Sequence, residues 1–222
     1  MVQIGINGFY SASVALVAFV KLFDITHTGD SGVVVVQKGL SWCKGGCRGA
    51  GRWRVMDPLC GVDKAHVAGS ISVWIEGLVS KADNGKPCRS PTYFHAVEVP
   101  KITISAYVDR INKYARCSKS ALVTATIYLC RVFAKHPEIP VVHKTIHRLL
   151  IAAVTVAAKF CDDFHLLNLA YAKIGGVTVK EMWRLEVYFL NLLDFKLFVT
   201  EEEYHDAVEK YFSSSDDLLT DK

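Results

Sequence analysis

Residues Leu149 to Asp163 read LLIAAVTVAAKFCDD, an almost wholly apolar run of helix length that carries one lysine near its end. At roughly 100° per residue, Leu149, Ala153, Val156 and Phe160 share one face, and Val154, Ala157 and Ala158 fill the flank. The edge that remains holds Arg148, Thr155 and Lys159. A helix apolar around most of its circumference has to be surrounded by other helices, so this run predicts a bundle with a central member. Its narrow basic edge is where such a bundle reaches a partner surface. The plainer reading is a lysine whose stem lies on apolar surface while its ammonium reaches water.

The 222 residues allow one or two domains, and 51% apolar content supports a substantial core. The formal charge of +4 is mild. No dense Lys/Arg cluster interleaved with aromatics tracks a phosphate backbone, so nucleic acid is not expected as a partner. Val14 to Val20 is too short to span a bilayer, ends at Lys21 and follows no positive leader region, so no membrane association is expected. Seven cysteines, an odd number, include Cys130 and Cys161 inside helical apolar runs, where a thiol serves as a small hydrophobe. These traits predict a soluble intracellular protein, in the nucleus, the cytoplasm or both.

The chain changes character near residue 90, because after that point the only glycines are Gly175 and Gly176. Residues 1–93 read as loop-rich and are left without an assigned fold or function. Val33 to Val36 could be a strand and Ser70 to Ile75 alternates weakly, but pieces such as KGGCRGAG interrupt them. An unfamiliar extension and a mistaken start of the coding sequence both fit this composition.

From Phe94 to Phe212 the pattern is helical. After Pro100, a stripe of Ile104, Tyr107, Val108 and Ile111 leaves Asp109, Arg110 and Lys113 outside. Ser118 caps a second, mostly buried helix with Ala121, Leu122, Ala125, Tyr128, Leu129 and Phe133. Pro137 and Pro140 separate it from the central run. A short fourth helix over 166–173 ends at Gly175 and Gly176. Thr178 and Glu181 have the spacing of a capping box at the start of a fifth helix, with the stripe Met182, Leu185, Phe189, Leu190 and Leu193. Glu201 to Glu203 read as the acidic first turn of a sixth helix, favoured by its dipole. The tail SSSDDLLTDK is polar and expected to fray.

Glu186 falls roughly 40° from Met182 around the fifth helix, inside the apolar stripe. Burying an ionised carboxylate without a partner costs several kcal/mol, so Glu186 must meet a cation, reach water or be protonated. Lys159 is the obvious cation.

Five helices with a lysine at the end of the third and a glutamate inside the fifth are similar to a cyclin box. Phe94-His95, Pro100, ITISAYVDRINKY, Lys159-Phe160 followed by Asp162-Asp163, YAKIGGVT from Tyr171 and LEVYFLNLLDF from Leu185 resemble plant U/P-type cyclins, relatives of fungal phosphate-pathway cyclins. The resemblance runs nearly without gaps from Phe94 to about Phe212. It implies an all-α fold, with a five-helix cyclin box over 94–200 and an additional C-terminal helix and polar tail over 201–222. It further implies a non-catalytic subunit that binds and activates a cyclin-dependent protein serine/threonine kinase in cell-cycle, cell-division or nutrient-linked control. Lys159 and Glu186 match the family's kinase-contacting positions. No catalytic residue, cofactor, metal or small-molecule substrate is implied. The chain departs from the family at Cys130, which stands in Tyr128-Leu129-Cys130-Arg131 where an aspartate is usual. A thiol cannot take that carboxylate's hydrogen bonds, and looser packing of the first helix on the second is expected.

Other signals are weaker. IGINGF, residues 4–9, resembles the opening of glyceraldehyde-phosphate dehydrogenases, but Tyr10 stands where a close-approach glycine is needed and no strand-helix alternation follows. Cys43, Cys47, Cys60, Cys88 and His66 match no compact zinc knuckle and read as ordinary groups. His143 and His147 lie one helical turn apart without a nucleophile or paired carboxylate, and read as surface histidines. The main alternative is a cyclin-like helical scaffold that binds transcription proteins without a kinase. It has no need of Lys159 and Glu186, whereas a kinase-binding box should present both at one partly exposed edge.

Overall fold

The computed structural model describes residues 58–59, 61–82 and 92–212. Seven helices make up the described part: α1 Lys64–Ala82, α2 Ile104–Tyr114, α3 Lys119–Lys135, α4 His143–Cys161, α5 Asn168–Gly175, α6 Val179–Leu192 and α7 Glu201–Phe212. The proposed strand at 33–36, the IGINGF segment, Cys43, Cys47, Cys60, Cys88 and the terminal SSSDDLLTDK lie outside the described residues.

The helices α2, α3, α4, α6 and α7 begin where the sequence signals place them, while α5, expected over 166–173, runs two residues later, from Asn168 to Gly175. Thr103 and Ser118 accept hydrogen bonds from Ala106 N–H and Ala121 N–H at 3.2 and 3.0 Å. At α6 the capping box is complete: Thr178 Oγ1 accepts from Glu181 N–H at 3.2 Å and Glu181 Oε2 from Thr178 N–H at 3.4 Å. Helix α5 stops at Gly176, whose φ of 68° is the left-handed conformation that glycine adopts without strain. Just before it, a side chain on Gly175 would come within 3.1 Å of Ile151, so this glycine lets α5 approach α4 closely.

Helix α4 is the centre of the bundle and packs against α2, α3, α5 and α6. Every residue from Leu149 to Lys159 is buried. This corrects the reading of Arg148, Thr155 and Lys159 as an open edge: Thr155 is fully buried and donates its hydroxyl to Ile151 O at 2.8 Å, while Lys159 lies under the contact with α5 and α6. His147 is likewise no surface histidine. It is 6% exposed, its two ring nitrogens lie 3.3 and 3.2 Å from the carbonyls of His143 and Ile102, and its ring packs edge-on against Tyr107.

A further correction concerns the segment before Phe94. Over Lys64–Ala82 it is a helix, not loop or weak strand. Val67, Ala68, Ile71, Ile75 and Val79 form a buried stripe at helical spacing, while Gly69 and Gly77 lie on the open side, where an added Cβ would meet nothing within 4 Å. Each glycine costs about 1 kcal/mol relative to alanine, but burying each large side chain of the stripe contributes about 1.5–3 kcal/mol. Packing therefore overrides the poor local propensity. Helix α1 lies against α2, α3 and α7 and joins the same core as the box. Lys64 Nζ donates to Asn112 O at 3.0 Å, Trp74 packs on Phe133 and Tyr211, and Lys119 Nζ donates to Leu59 O and Val62 O at 2.8 and 2.9 Å.

Cys130 does not face α2. Its thiol contacts the Tyr211 hydroxyl at 3.4 Å, so the cysteine bears on the α3–α7 junction rather than on the packing of α2. The neighbouring Arg131 holds that junction, pairing with Glu203 and donating to the carbonyls of Lys196 and Phe198 at 2.8 Å. Tyr128, fully buried, donates to Leu197 O at 2.6 Å and ties α3 to the link before α7.

Candidate functional site

Lys159 and Glu186 meet. The ammonium sits in the last turn of α4, where the helix dipole favours a cation, and donates to Glu186 Oε1 at 2.5 Å. The other carboxylate oxygen, Oε2, accepts from Asn168 Nδ2 at 2.5 Å, at the first residue of α5. One carboxylate on α6 thus holds the end of α4 and the start of α5 together. The partner expected for Glu186 is the one found, but the setting is not. Lys159 and Glu186 side chains are 2% and 0% exposed, rather than lying at a partly open edge.

What is open lies just outside the pair. The link between α4 and α5 carries Phe164 and Leu167, 92% and 75% exposed, followed by Leu169 at 52% in the first turn of α5. Beside Glu186 on α6, Val187 is 41% exposed. Large apolar side chains left in water next to a buried ion pair are the mark of an interaction surface. Sequence reasoning passed over Phe164 and Leu167 in the link, where period-based reading has nothing to count, and over Leu169 and Val187 on the helices, where periodicity does not say which apolar side chains stay exposed. The available signal was an apolar pair inside a link bracketed by the lysine and the helix that meets the glutamate. Asp162 anchors the start of this link, its Oδ2 accepting from Ser118 N–H at 3.0 Å.

Among the described residues no group of three or more His, Cys, Asp or Glu is arranged to hold a metal ion. His66, imagined as a zinc ligand, instead lies on α1 with Nε2 at 3.3 Å from Phe212 O. Burial pushes the Cys117 thiol up to about 11 and raises Cys130, which disfavours a thiolate at either. No described helix is long and apolar enough to cross a membrane.

The fold and site together define an all-helical bundle centred on one buried helix, whose last-turn lysine is salt-bridged to a glutamate two helices later. The cyclin family profile matches residues 77–197, more than half of the chain, and the chain belongs to that family. Within it, similarity is to plant U- and P-type cyclins. The chain is 47% identical to cyclin-U4-1 of Arabidopsis thaliana over 120 residues, 54% of this chain and 57% of the relative. It is 47% identical to cyclin-U4-2 of Arabidopsis thaliana over 113 residues, 51% of this chain and 52% of the relative. With cyclin-P3-1 of Oryza sativa subsp. japonica it shares 43% over 122 residues, 55% of this chain and 51% of the relative. The chain spans about half the length of these relatives.

Proposed function

We propose that this chain is a regulatory subunit that binds and activates a cyclin-dependent protein serine/threonine kinase, in cell-cycle, cell-division or nutrient-linked control in the nucleus or cytoplasm. The kinase supplies the chemistry. The observation that carries the reading is the set of exposed apolar side chains Phe164, Leu167, Leu169 and Val187 beside the Lys159–Glu186–Asn168 junction. The apolar side chains offer the area that a kinase helix would cover. Lys159 and Glu186 form the base of that surface. An ammonium has three hydrogens, and with Glu186 Oε1 taking one, Lys159 keeps donor capacity for carbonyls of a docked helix. A kinase switches on when its strand lysine pairs with a glutamate on its mobile helix. A surface that fits only the inward position of that helix shifts the population toward the active state.

The test is co-purification of the full chain with cyclin-dependent kinases and phosphorylation of a histone-type substrate. Phe164→Ser with Leu167→Ser, at exposed positions where folding stability should change by less than about 0.5 kcal/mol each, should weaken the complex at least about tenfold. Absence of binding and stimulation across several kinases of the class would sink the proposal. The burial of the pair favours one other reading, a cyclin-like scaffold that binds transcription proteins without a kinase. That reading requires the same apolar surface to capture no kinase.

A further inference from the structure

At the opposite end of α4 from Lys159, eleven residues or about 16 Å along the helix axis, lies a polar cleft of about 250 Å³ lined by Thr92, Tyr93, His95, Arg148, Glu181, Arg184 and Leu185. Arg148 is built into its wall. It donates to His95 O at 2.8 Å and Tyr93 O at 3.4 Å, and pairs with Glu181. Arg184, one turn further along α6, is exposed and makes no ion pair among the described residues. His95 is oriented by its neighbour: Thr92 N–H donates to Nδ1 at 2.9 Å. Nδ1 is therefore the acceptor, and in the neutral ring the hydrogen sits on Nε2, a second donor type among the lining residues.

Two guanidiniums face one carboxylate, so the cleft carries one uncompensated positive charge. Its donors are an arginine fork and an imidazole N–H, which suit an anion with several oxygens better than a single point acceptor. Beside the cleft the segment before α2 exposes Tyr93, Val97 and Val99 at 61%, 91% and 51%, and Tyr93 is braced edge-on by Tyr188 with ring centroids 5.0 Å apart. A free inorganic ion has no use for such an apolar shelf. An extended peptide has. We propose that this cleft binds a phosphorylated serine or threonine of a partner protein: the phosphate meets Arg184 and His95 Nε2, and the flanking peptide residues lie on Tyr93, Val97 and Val99. The site goes beyond the kinase surface and is separate from it.

Binding is measured by fluorescence polarisation on the full chain alone, using a labelled degenerate peptide library with a fixed central phosphoserine and a matched library with serine. A failed kinase co-purification therefore leaves this inference standing, and the converse also holds. The phosphoserine library should bind at least about tenfold more tightly than the serine library, the size of one good charge-assisted contact. Arg184→Glu should abolish that difference, Arg184→Lys should reduce it, and His95→Ala should weaken binding about tenfold. Arg184 is exposed, so its variants should fold. Equal binding of the two libraries, or an Arg184→Glu chain that still prefers the phosphorylated one, overturns the site. Inorganic phosphate that displaces the peptide at the affinity of the peptide itself overturns the peptide assignment, since the shelf would then contribute nothing.

Discussion

Lys159→Met leaves Glu186 fully buried with one oxygen unpaired and the other held only by the amide of Asn168. Removing one partner of a buried pair costs about 3–5 kcal/mol, because the remaining charge keeps its desolvation penalty and loses its counter-charge. For a chain of this size that lowers the melting temperature by roughly 6–20 °C. Glu186→Leu should cost a similar amount, since it strands the Lys159 ammonium at 2% exposure. The double variant Lys159→Met with Glu186→Leu replaces the pair by apolar groups of comparable volume. It should recover most of the loss, giving a coupling of several kcal/mol in the double-mutant cycle. The assay is urea unfolding followed by far-ultraviolet circular dichroism at neutral pH, at low and at 1 M salt. A buried pair is little screened, so the coupling should survive high salt. Single variants that cost under about 1 kcal/mol, the level of an exposed pair, would refute the reasoning, as would strictly additive losses.

Gly175→Ala should cost about 1–3 kcal/mol, because its new methyl comes 3.1 Å from Ile151 Cγ1; Gly176→Ala should cost about 1 kcal/mol through its left-handed backbone, both read by thermal unfolding. A chain lacking residues 1–82 should aggregate or lose cooperative unfolding, since Val67, Ile71, Ile75 and Val79 are each at most 3% exposed and together bury roughly 6–12 kcal/mol of apolar stabilisation as an upper bound. Burial lowers the His147 pKa, its desolvation outweighing the two carbonyls beside the ring. The folded chain then resists a proton that the unfolded chain accepts. Stability should fall as pH drops below about 6.5 and level off below the depressed folded value, and His147→Gln should flatten that part of a stability-versus-pH profile. Among Cys117, Cys130 and Cys161, iodoacetamide should modify exposed Cys161 first, with Cys117, buried and raised to about 11, at least about tenfold slower by peptide mapping.

The sequence by itself determined the helical part after Pro100. Periodicity, Ser118, the Thr178–Glu181 capping box and Gly175-Gly176 are local signals, each acting over one or two turns, so the order of the helices, most of their boundaries and the central status of α4 could be read from the chain, with α5 displaced by two residues. The charge inside the stripe of α6 could be read as well, because an unpaired buried carboxylate is too costly to leave alone, and Lys159 was the cation at hand. The tertiary structure alone decided how deep that pair lies. Burial depends on which helices close over an edge, and α5 and α6 close over the edge that looked open along α4. It also decided that Lys64–Ala82 is a helix, since two glycines and scattered serines weaken its local signal and only the faces of α2, α3 and α7 make the stripe worth burying. Cys130 turned toward Tyr211, the exposed Phe164 and Leu167 above the ion pair, and the meeting of His95, Arg148 and Arg184 in one cleft belong with these. Each joins residues far apart in the chain or lying in loops, where spacing along the sequence carries no information about what packs against what.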